Sequence, residues 1–316
     1  MKANDLLLNL GLPSRDPLEL PDSEKRFTDG AQYRVEIPSV EGPRVLEAVI
    51  EEARKREVQL HRISQGSGIM LLTDAEILEM CQMAREAGLE LSLFVGPRAA
   101  WETGAGVVSS SGKTLGAQHR GQDQLAYALE DVLRGASLGL RGVLVADLGL
   151  LWVLRDLKER GELPSDLIVK VSVQLAAANA AAIKSMEGLG ANTYNVPTDL
   201  SLAQLAAMRA VCELPFDVYV EAPDDFGGFV RHYETPELVR VASPVFIKFG
   251  LRNAPNIYPS GTHLEATAVA LGKERVRRAE IGLAMLERYY PDARTTEEGA
   301  SFPGIPADTT TIKESV

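Results

Sequence analysis

Five side chains with acid–base or nucleophilic chemistry stand at or near the ends of short strand-like runs in this sequence. They are the carboxylates Glu36, Asp147 and Glu221, the lysine Lys248 and the histidine His61. Carboxylates can act as general bases or bind Mg²⁺ or Mn²⁺ through hard oxygen ligands. A lysine removed from water becomes a nucleophile that can form a Schiff base, and histidine titrates near neutral pH. We therefore predict these five as catalytic residues and the three carboxylates also as metal ligands.

The same residues have structural interpretations. Each carboxylate could pair with a basic residue inside the fold, and each lysine could be held in a buried ion pair. His61 could be a structural histidine, and the sequence does not decide whether His61 or its neighbour Arg62 faces the interior. No His-x-His or H-E-x-x-H spacing supports zinc.

These side chains can act together only if the strand ends converge. After about residue 30 the sequence alternates strand-like and amphipathic helical runs eight times, which predicts parallel strands with right-handed crossovers. Eight such units suit a closed barrel. We predict an α/β fold, a single (β/α)₈ TIM barrel over residues 31–291, with an N-terminal arm (1–30), a long loop after strand 3 and a C-terminal tail (292–316). The predicted strands are 33–39, 58–64, 89–96, 141–147, 167–174, 191–197, 216–223 and 244–250.

The predicted barrel should have a polar interior. In VKVSVQ the residues Lys170, Ser172 and Gln174 alternate with valines, and DVYVE (217–221) repeats the pattern. Alternating residues of a strand point to opposite faces, so the polar set should face the lumen and the valines the helices. Buried polar groups need partners, and we therefore predict a hydrogen-bonded network.

Substrate should bind at the carboxyl ends of the strands, where barrel active sites lie. The polar residues that these ends bring together are Gln65, Arg98, Lys170, Gln174 and Asn195.

Two loops add candidates. After strand 8, Arg252, Ser260, Gly261 and Thr262 precede a Thr-x-x-Glu pattern. This pattern predicts a short extra helix that begins at Thr262 and could bind an anionic substrate group. Ordinary loop chemistry is the alternative. The loop of residues 97–124 is long enough to predict a lid, although a solvated excursion or an oligomer contact would explain it equally.

Composition limits partners and cofactors. A formal charge of -11 argues against nucleic-acid binding, and no apolar run is long enough for a membrane span. Cys81 and Cys212 are too few for an iron–sulfur cluster, and the first strand is not followed by a G-x-G-x-x-G turn, so no nucleotide cofactor is expected. We expect a cytoplasmic protein that acts on a small molecule, and a homo-oligomer is left open.

The central part of the chain resembles a known family. The runs VLVADLGLLWVLRDL and VSVQLAAANAAAIKSMEGLGANTYNVP contain an Asp-x-Gly turn and an S-x-Q-x-x-x-x-N strand–helix junction. Asp147, Gly149, Ser172, Gln174 and Asn179 carry this resemblance to the collagenase-like peptidases of family U32. The resemblance implies a barrel with its pocket at the strand ends. Many relatives have a cysteine-rich motif and an iron–sulfur cluster, but VYVEAPDDFGGFVRHY lacks cysteine, so cluster chemistry is not implied here.

Three functions remain open at this point. The first is hydrolysis of a C–N bond, with Glu221 or Asp147 as base and a divalent metal as an option. The second is a Schiff-base lyase or isomerase that uses Lys248 or Lys170. The third is a non-catalytic barrel that binds a ligand or a partner.

Overall fold

Eight parallel strands form a closed barrel in the order of the sequence, and β1 pairs with β8. The computed structural model describes residues 3–97 and 118–308. All eight predicted strand–helix units are present, so the predicted (β/α)₈ barrel is confirmed. The strands are β1 Tyr33–Pro38, β2 Arg62–Ser64, β3 Glu90–Phe94, β4 Gly142–Val145, β5 Ile168–Val171, β6 Thr193–Asn195, β7 Phe216–Glu221 and β8 Val245–Phe249.

The helices surround the barrel and bury the apolar face of each strand. Val35, Ile63, Val143 and Ile247 are buried in the main core, as the alternation of polar and apolar residues predicts. The neighbouring polar residues of the same strands face the lumen. The helices are α1 Ala3–Asn9, α2 Pro43–Lys55, α3 Asp74–Glu86, α4 Gly121–Ser137, α5 Leu148–Glu159, α6 Ala180–Gly188, α7 Leu202–Arg209, α8 Thr235–Ala242 and α9 Glu265–Tyr289.

The helix start at Thr262 differs from the prediction. Residues Thr262–Leu264 form a 3₁₀ turn that continues directly into α9, a helix of 25 residues. Neither start has a side-chain cap, so the predicted capping box of Thr262 and Glu265 does not form. The equivalent pattern at Thr73 and Glu76 does form a capping box before α3. The expected short extra helix is therefore the first part of α9.

The arm and the tail pack against the amino ends of the strands. The amides of Gln32 and Tyr33 both donate to the carbonyl of Arg294. The guanidinium of Arg34 lies 4.2 Å from the ring centroids of both Phe27, in the arm, and Phe302, in the tail. Described residues of both terminal segments therefore cover the end of the barrel opposite to the predicted pocket. No helix within 3–97 and 118–308 is both long and apolar enough to cross a membrane.

Candidate active site at the carboxyl ends of the strands

Glu36 of β1 is at the centre of a buried polar network in the lumen. Its carboxylate accepts hydrogen bonds from Lys170 and from the Ser64 hydroxyl, the latter at 2.6 Å. The ammonium of Lys248 lies 3.0 Å from one of its oxygens and the guanidinium of Arg62 lies 3.3 Å from the other. Both oxygens of this fully buried carboxylate are thus occupied by donors.

Arg62 joins Glu36 to two further carboxylates. Its guanidinium lies 2.7 Å from Asp217 and 2.8 Å from Glu90, and it stacks on the Phe246 ring at 3.4 Å from the centroid. Asp217 also lies 3.2 Å from Lys170. Together with Glu36 and Lys248, these residues form what we call the lumen network. Its ionisable members are the carboxylates Glu36, Glu90 and Asp217 and the cations Arg62, Lys170 and Lys248.

The three carboxylates and three cations of this network balance in charge. Burial and these neighbouring charges together shift the pKa values of Glu36 and Lys170. Burial would raise the pKa of Glu36, but the cations Lys170, Lys248 and Arg62 outweigh burial and hold its pKa well below the usual range. Burial lowers the pKa of Lys170 to about 8, although Asp217 and Glu36 oppose this shift. Lys170 therefore loses its proton more readily than an ordinary lysine.

Lys248 lies in the same network and is closer to solvent. Its ammonium donates to the Oδ1 atom of Asn195 at 3.0 Å and lies 4.6 Å from the ring centroid of Tyr219. The side chain of Lys248 is 4% exposed, whereas that of Lys170 is 0% exposed. The structure thus brings together four of the predicted residues, Glu36, Lys170, Asn195 and Lys248, and of the two lysines only Lys248 has any solvent contact.

Asp147 has a structural position at the start of α5. One carboxylate oxygen accepts from the Leu150 amide at 2.7 Å and the other from the His119 amide at 2.9 Å. The side chain is therefore the N-cap of α5 and anchors residue 119 to the end of β4. Asp147 forms no contact with the lumen network.

Glu221 lies on the outer side of the barrel. A bulge between Tyr219 and Glu221 shifts the register of β7 against β8, and Glu221 then pairs with Phe249, which faces outward. Its carboxylate lies 3.1 Å from the His232 ring, accepts from the Arg252 amide at 3.0 Å and lies 3.6 Å from Arg278 of α9. The expectation that Glu221 shares a face with Asp217 and Tyr219 is wrong, because the bulge inserts one residue into the alternation.

His61 lies at the wrong end of the barrel for the predicted catalytic role. It precedes β2, accepts the Val35 amide on Nδ1 at 3.0 Å and contacts Thr295 and Phe302 of the tail segment. Burial, with a smaller effect of the Arg34 charge, lowers its pKa to about 4. A neutral ring that accepts a backbone amide at the amino ends of the strands is a structural histidine, and Arg62 is the residue that faces the lumen.

The three predicted metal ligands do not form a shared site. Glu36 is in the lumen, Asp147 caps a helix and Glu221 faces the helix layer. Across residues 3–97 and 118–308, no group of three or more His, Cys, Asp or Glu side chains is arranged to hold a metal ion. Binding of Mg²⁺ or Mn²⁺ stays a prediction without a site in that part of the chain.

The remaining predicted substrate-binding residues lie around the rim. Gln65 closes its own turn, because its side chain bonds to the amide and the carbonyl of Gly68. Gln174 is partly buried, and its Oε1 atom has no hydrogen-bond partner. Arg98 and most of the predicted lid at 97–124 lie outside the described residues.

The predicted anion site after β8 is acidic. The amide of Ser260 donates to the Ser67 hydroxyl at 2.8 Å, and Arg252 is exposed, with its closest carboxylate, Asp224, at 3.7 Å. A cavity of about 40 Å³ lies beside Ser260, Gly261 and Thr262, and its lining includes one cation, Arg44, and three carboxylates, Glu41, Glu76 and Glu265. These carboxylates disfavour an anion at the predicted place.

Sequence reasoning missed Arg62, Glu90 and Asp217 as site residues. A signal was present for Arg62, since His61 shares its strand face with the apolar Ile63, which predicts that Arg62 points inward.

The family motif is explained largely by helix starts. Asp147 caps α5, Ser172 caps the 3₁₀ turn Val173–Leu175 and Asn179 caps α6, where it accepts from the Ala182 amide at 3.0 Å. Of its polar members only Gln174 has no capping role in the described structure.

Several solved structures are similar to parts of this chain. One U32 peptidase structure is 19% identical and covers 74% of this chain and 96% of its own, with a TM-score of 0.41. A thiamine phosphate pyrophosphorylase from Pyrococcus furiosus is 15% identical, with coverage of 81% and 98% and a TM-score of 0.42. An oxaloacetate acetylhydrolase in complex with oxalate is 11% identical, with coverage of 85% and 86% and a TM-score of 0.43. At these identities the similarity concerns only the fold.

A comparison with the curated proteins gives no match. The model of peptidase family U32 matches residues 113–222, which include β4 to β7 and every motif residue named above. Over these residues the chain is therefore similar to peptidase family U32, and the resemblance predicted from the sequence is confirmed.

Proposed function

We propose that this protein is an enzyme that uses Lys248 to form an imine with a small carbonyl compound, as a lyase or an isomerase. The observation that carries this proposal is the position of Lys248. Its ammonium is at the carboxyl side of the lumen network, between Glu36, Asn195 and the Tyr219 ring, and it keeps the solvent contact that Lys170 lacks.

The surroundings of Lys248 suit this chemistry. The Lys248 ammonium first releases one proton, and the neutral amine then forms a bond to the carbonyl carbon. The carbonyl oxygen leaves as water with both remaining amine hydrogens, and one proton returns to the imine nitrogen. The protonated imine has the same positive charge as the ammonium that it replaces. Glu36, 3.0 Å from the Lys248 nitrogen, therefore has a cationic partner before and after the reaction. Lys170, with its lowered pKa, is a proton acceptor within the same network once it has lost its own proton.

Borohydride trapping tests the proposal. Folded protein is incubated with pyruvate or acetaldehyde, reduced with borohydride and mapped by peptide mass spectrometry. We expect a stable adduct at Lys248 that is absent from Lys248→Arg, which keeps the charge but cannot form an imine. The exposed Lys273 reports non-specific labelling. An adduct only at Lys273, or none on any lysine with either probe, would rule out the imine mechanism.

Hydrolysis of a C–N bond is the second candidate, and the match to peptidase family U32 favours it. The two bases predicted for it, Asp147 and Glu221, are engaged in a helix cap and in an outer cluster. If hydrolysis is the function, peptide or amide cleavage should persist in Lys248→Arg, and chelation with EDTA would decide whether a divalent metal takes part.

A further inference from the structure

Arg275 of α9 is a buried cation without a carboxylate partner. It is 4% exposed, and within residues 3–97 and 118–308 its one hydrogen bond runs from Nη1 to the Ser39 carbonyl at 3.2 Å. Its Nε atom is buried and has no acceptor. In the described part of the chain, no carboxylate oxygen lies within the 4.0 Å of an ion pair. Burying a charge in this way is unfavourable unless another group compensates for it.

Other buried arginines of the same protein are satisfied. Arg62 pairs with three carboxylates. Arg209, which like Arg275 has no carboxylate partner, instead donates to the carbonyls of Ala242, Cys212, Leu214 and Pro244. Arg275 therefore has unused donors where the fold elsewhere supplies acceptors, and a bound anion would use them.

The surroundings place Arg275 beside the proposed active site. Its acceptor Ser39 directly follows β1, has a φ of 59° and also accepts a hydrogen bond from the Tyr258 hydroxyl. Burial raises the pKa of the Tyr258 and Tyr219 hydroxyls, and the positive charge of Arg275 opposes this shift in both. The Tyr219 ring centroid lies 4.6 Å from the ammonium of Lys248. Arg275 is thus held at the carboxyl end of β1, the strand whose Glu36 contacts the proposed nucleophile Lys248.

Glu41 is the carboxylate whose charge bears on Arg275, and it is already engaged. Its oxygens accept from the amides of Gly66 and Ser67 at 2.8 and 2.9 Å. Burial raises its pKa, and these hydrogen bonds and the charge of Arg275 oppose that shift. Both oxygens of Glu41 accept from backbone amides, and among the described residues neither forms an ion pair with Arg275, so the guanidinium keeps unused donors.

We infer that Arg275 binds the carboxylate of the substrate, and that the substrates of the Lys248 site are small oxo acids. A guanidinium offers two parallel donors that match a carboxylate, and the lysine requires a carbonyl. That the substrate has a carbonyl group rests on the proposed imine chemistry of Lys248. That the substrate has a carboxylate rests on Arg275 alone.

The test separates the two halves. Binding of pyruvate and of levulinate, a 2-oxo and a 4-oxo acid, is measured by calorimetry on the full chain as wild type, Arg275→Met, Arg275→Lys and Arg277→Met. Arg277 is exposed on the same helix and is the matched control. We expect at least one acid to bind wild type and Arg277→Met equally and to bind Arg275→Met about tenfold or more weakly. Arg275→Lys should fall between, since it keeps the charge but loses the paired donors.

Two further readouts complete the test. Acetaldehyde has no carboxylate, so the yield of its borohydride-trapped adduct at Lys248 should be the same in Arg275→Met as in wild type. Arg275→Met should also unfold at the same temperature as wild type or higher, because it removes an uncompensated buried charge.

Equal binding of both acids to wild type and Arg275→Met, or no binding to wild type, overturns the role of Arg275. Loss of trapping at Lys248 while Arg275-dependent binding persists overturns only the imine chemistry.

Discussion

At the scale of single residues, Glu36 determines the electrostatics of the lumen. Three cations and one hydroxyl from three other strands, β2, β5 and β8, converge on its carboxylate. The alternation in β5 was enough to predict from the sequence that Lys170 faces the lumen. The pairing of Glu36 with Lys170, which is 134 residues away, depends on the register of the closed barrel and has no local sequence signal.

Replacement of Glu36 should destabilise the protein strongly. Glu36→Gln keeps the shape of the side chain but leaves Lys170 and Lys248 with less negative charge in a buried site. We expect the free energy of unfolding to fall by about 3–5 kcal/mol, measured by urea denaturation. Glu47→Gln, at an exposed site, should change it by less than about 0.5 kcal/mol. A Glu36→Gln protein as stable as the Glu47→Gln control would contradict the network.

His61 should make stability depend on pH. Its pKa is about 4 in the folded protein, against 6.5 for an ordinary histidine. Between these values the unfolded chain binds more protons than the folded chain, so the free energy of unfolding decreases as the pH is lowered from about 6.5 to about 4. The decrease attributable to His61 is up to about 3 kcal/mol.

The measurement is a comparison of wild type with His61→Asn by urea denaturation across this pH range. Asparagine keeps an acceptor for the Val35 amide but does not titrate. The difference in free energy of unfolding between the two proteins should therefore change as the pH falls and stay constant above pH 7. A difference that is flat throughout would mean that the pKa of His61 is the same in the folded and the unfolded chain, which would contradict its burial as a neutral ring.

At the scale of elements, strand alternation predicted correctly which side chains of β7 face the lumen, up to the bulge in that strand. Asp217 and Tyr219 face inward as their pattern predicts, and Glu221 does not. The bulge depends on how β7 packs against β8 and against the segment near Val230, which forms a β-bridge to Glu221. The spacing of residues in the sequence does not predict such packing. The capping box at Thr73 was predictable because it is local, while the similar pattern at Thr262 was overridden by the packing of α9.

Asp147 should behave as a helix cap and not as a catalytic base. Asp147→Asn retains an oxygen for the Leu150 amide, whereas Asp147→Ala does not. We expect Asp147→Ala to lower the free energy of unfolding by about 1–2 kcal/mol and Asp147→Asn to change it by roughly 0.5 kcal/mol or less. Both changes are measurable by denaturant titration. If imine trapping at Lys248 were lost in a stable Asp147→Asn protein, a catalytic role for Asp147 would have to be restored.

At the scale of the whole molecule, the sequence predicted the barrel, its eight strands and its polar interior. It predicted the residues after Pro291 only as a tail. The structure packs the described part of this segment against β1 and β3, where Phe302 covers Arg34 and Gly304 lies against Glu90. Turn-rich composition indicates irregular backbone but does not show whether that backbone is packed, so this contact had no signal.

The tail segment should contribute to stability. Phe302→Ala removes a ring that contacts both Arg34 and His61. We expect a loss of about 2–3 kcal/mol, at or below the lower end of the range for buried phenylalanine because the site is at the barrel end. Phe229→Ala, at an exposed position, is the control and should have little effect on the thermal midpoint. Equal midpoints for the two variants would show that the tail contact is not stabilising.

The lumen network has a consequence for how the chain folds. Its members in β1 to β3 are two carboxylates and one guanidinium, and its members in β5 to β8 are two ammoniums and one carboxylate. Each half-barrel alone would thus bury one unbalanced charge, negative in the first half and positive in the second. The two halves neutralise each other only when Lys170 and Lys248 reach Glu36, so we expect partly assembled barrels to be poorly populated and closure to be cooperative.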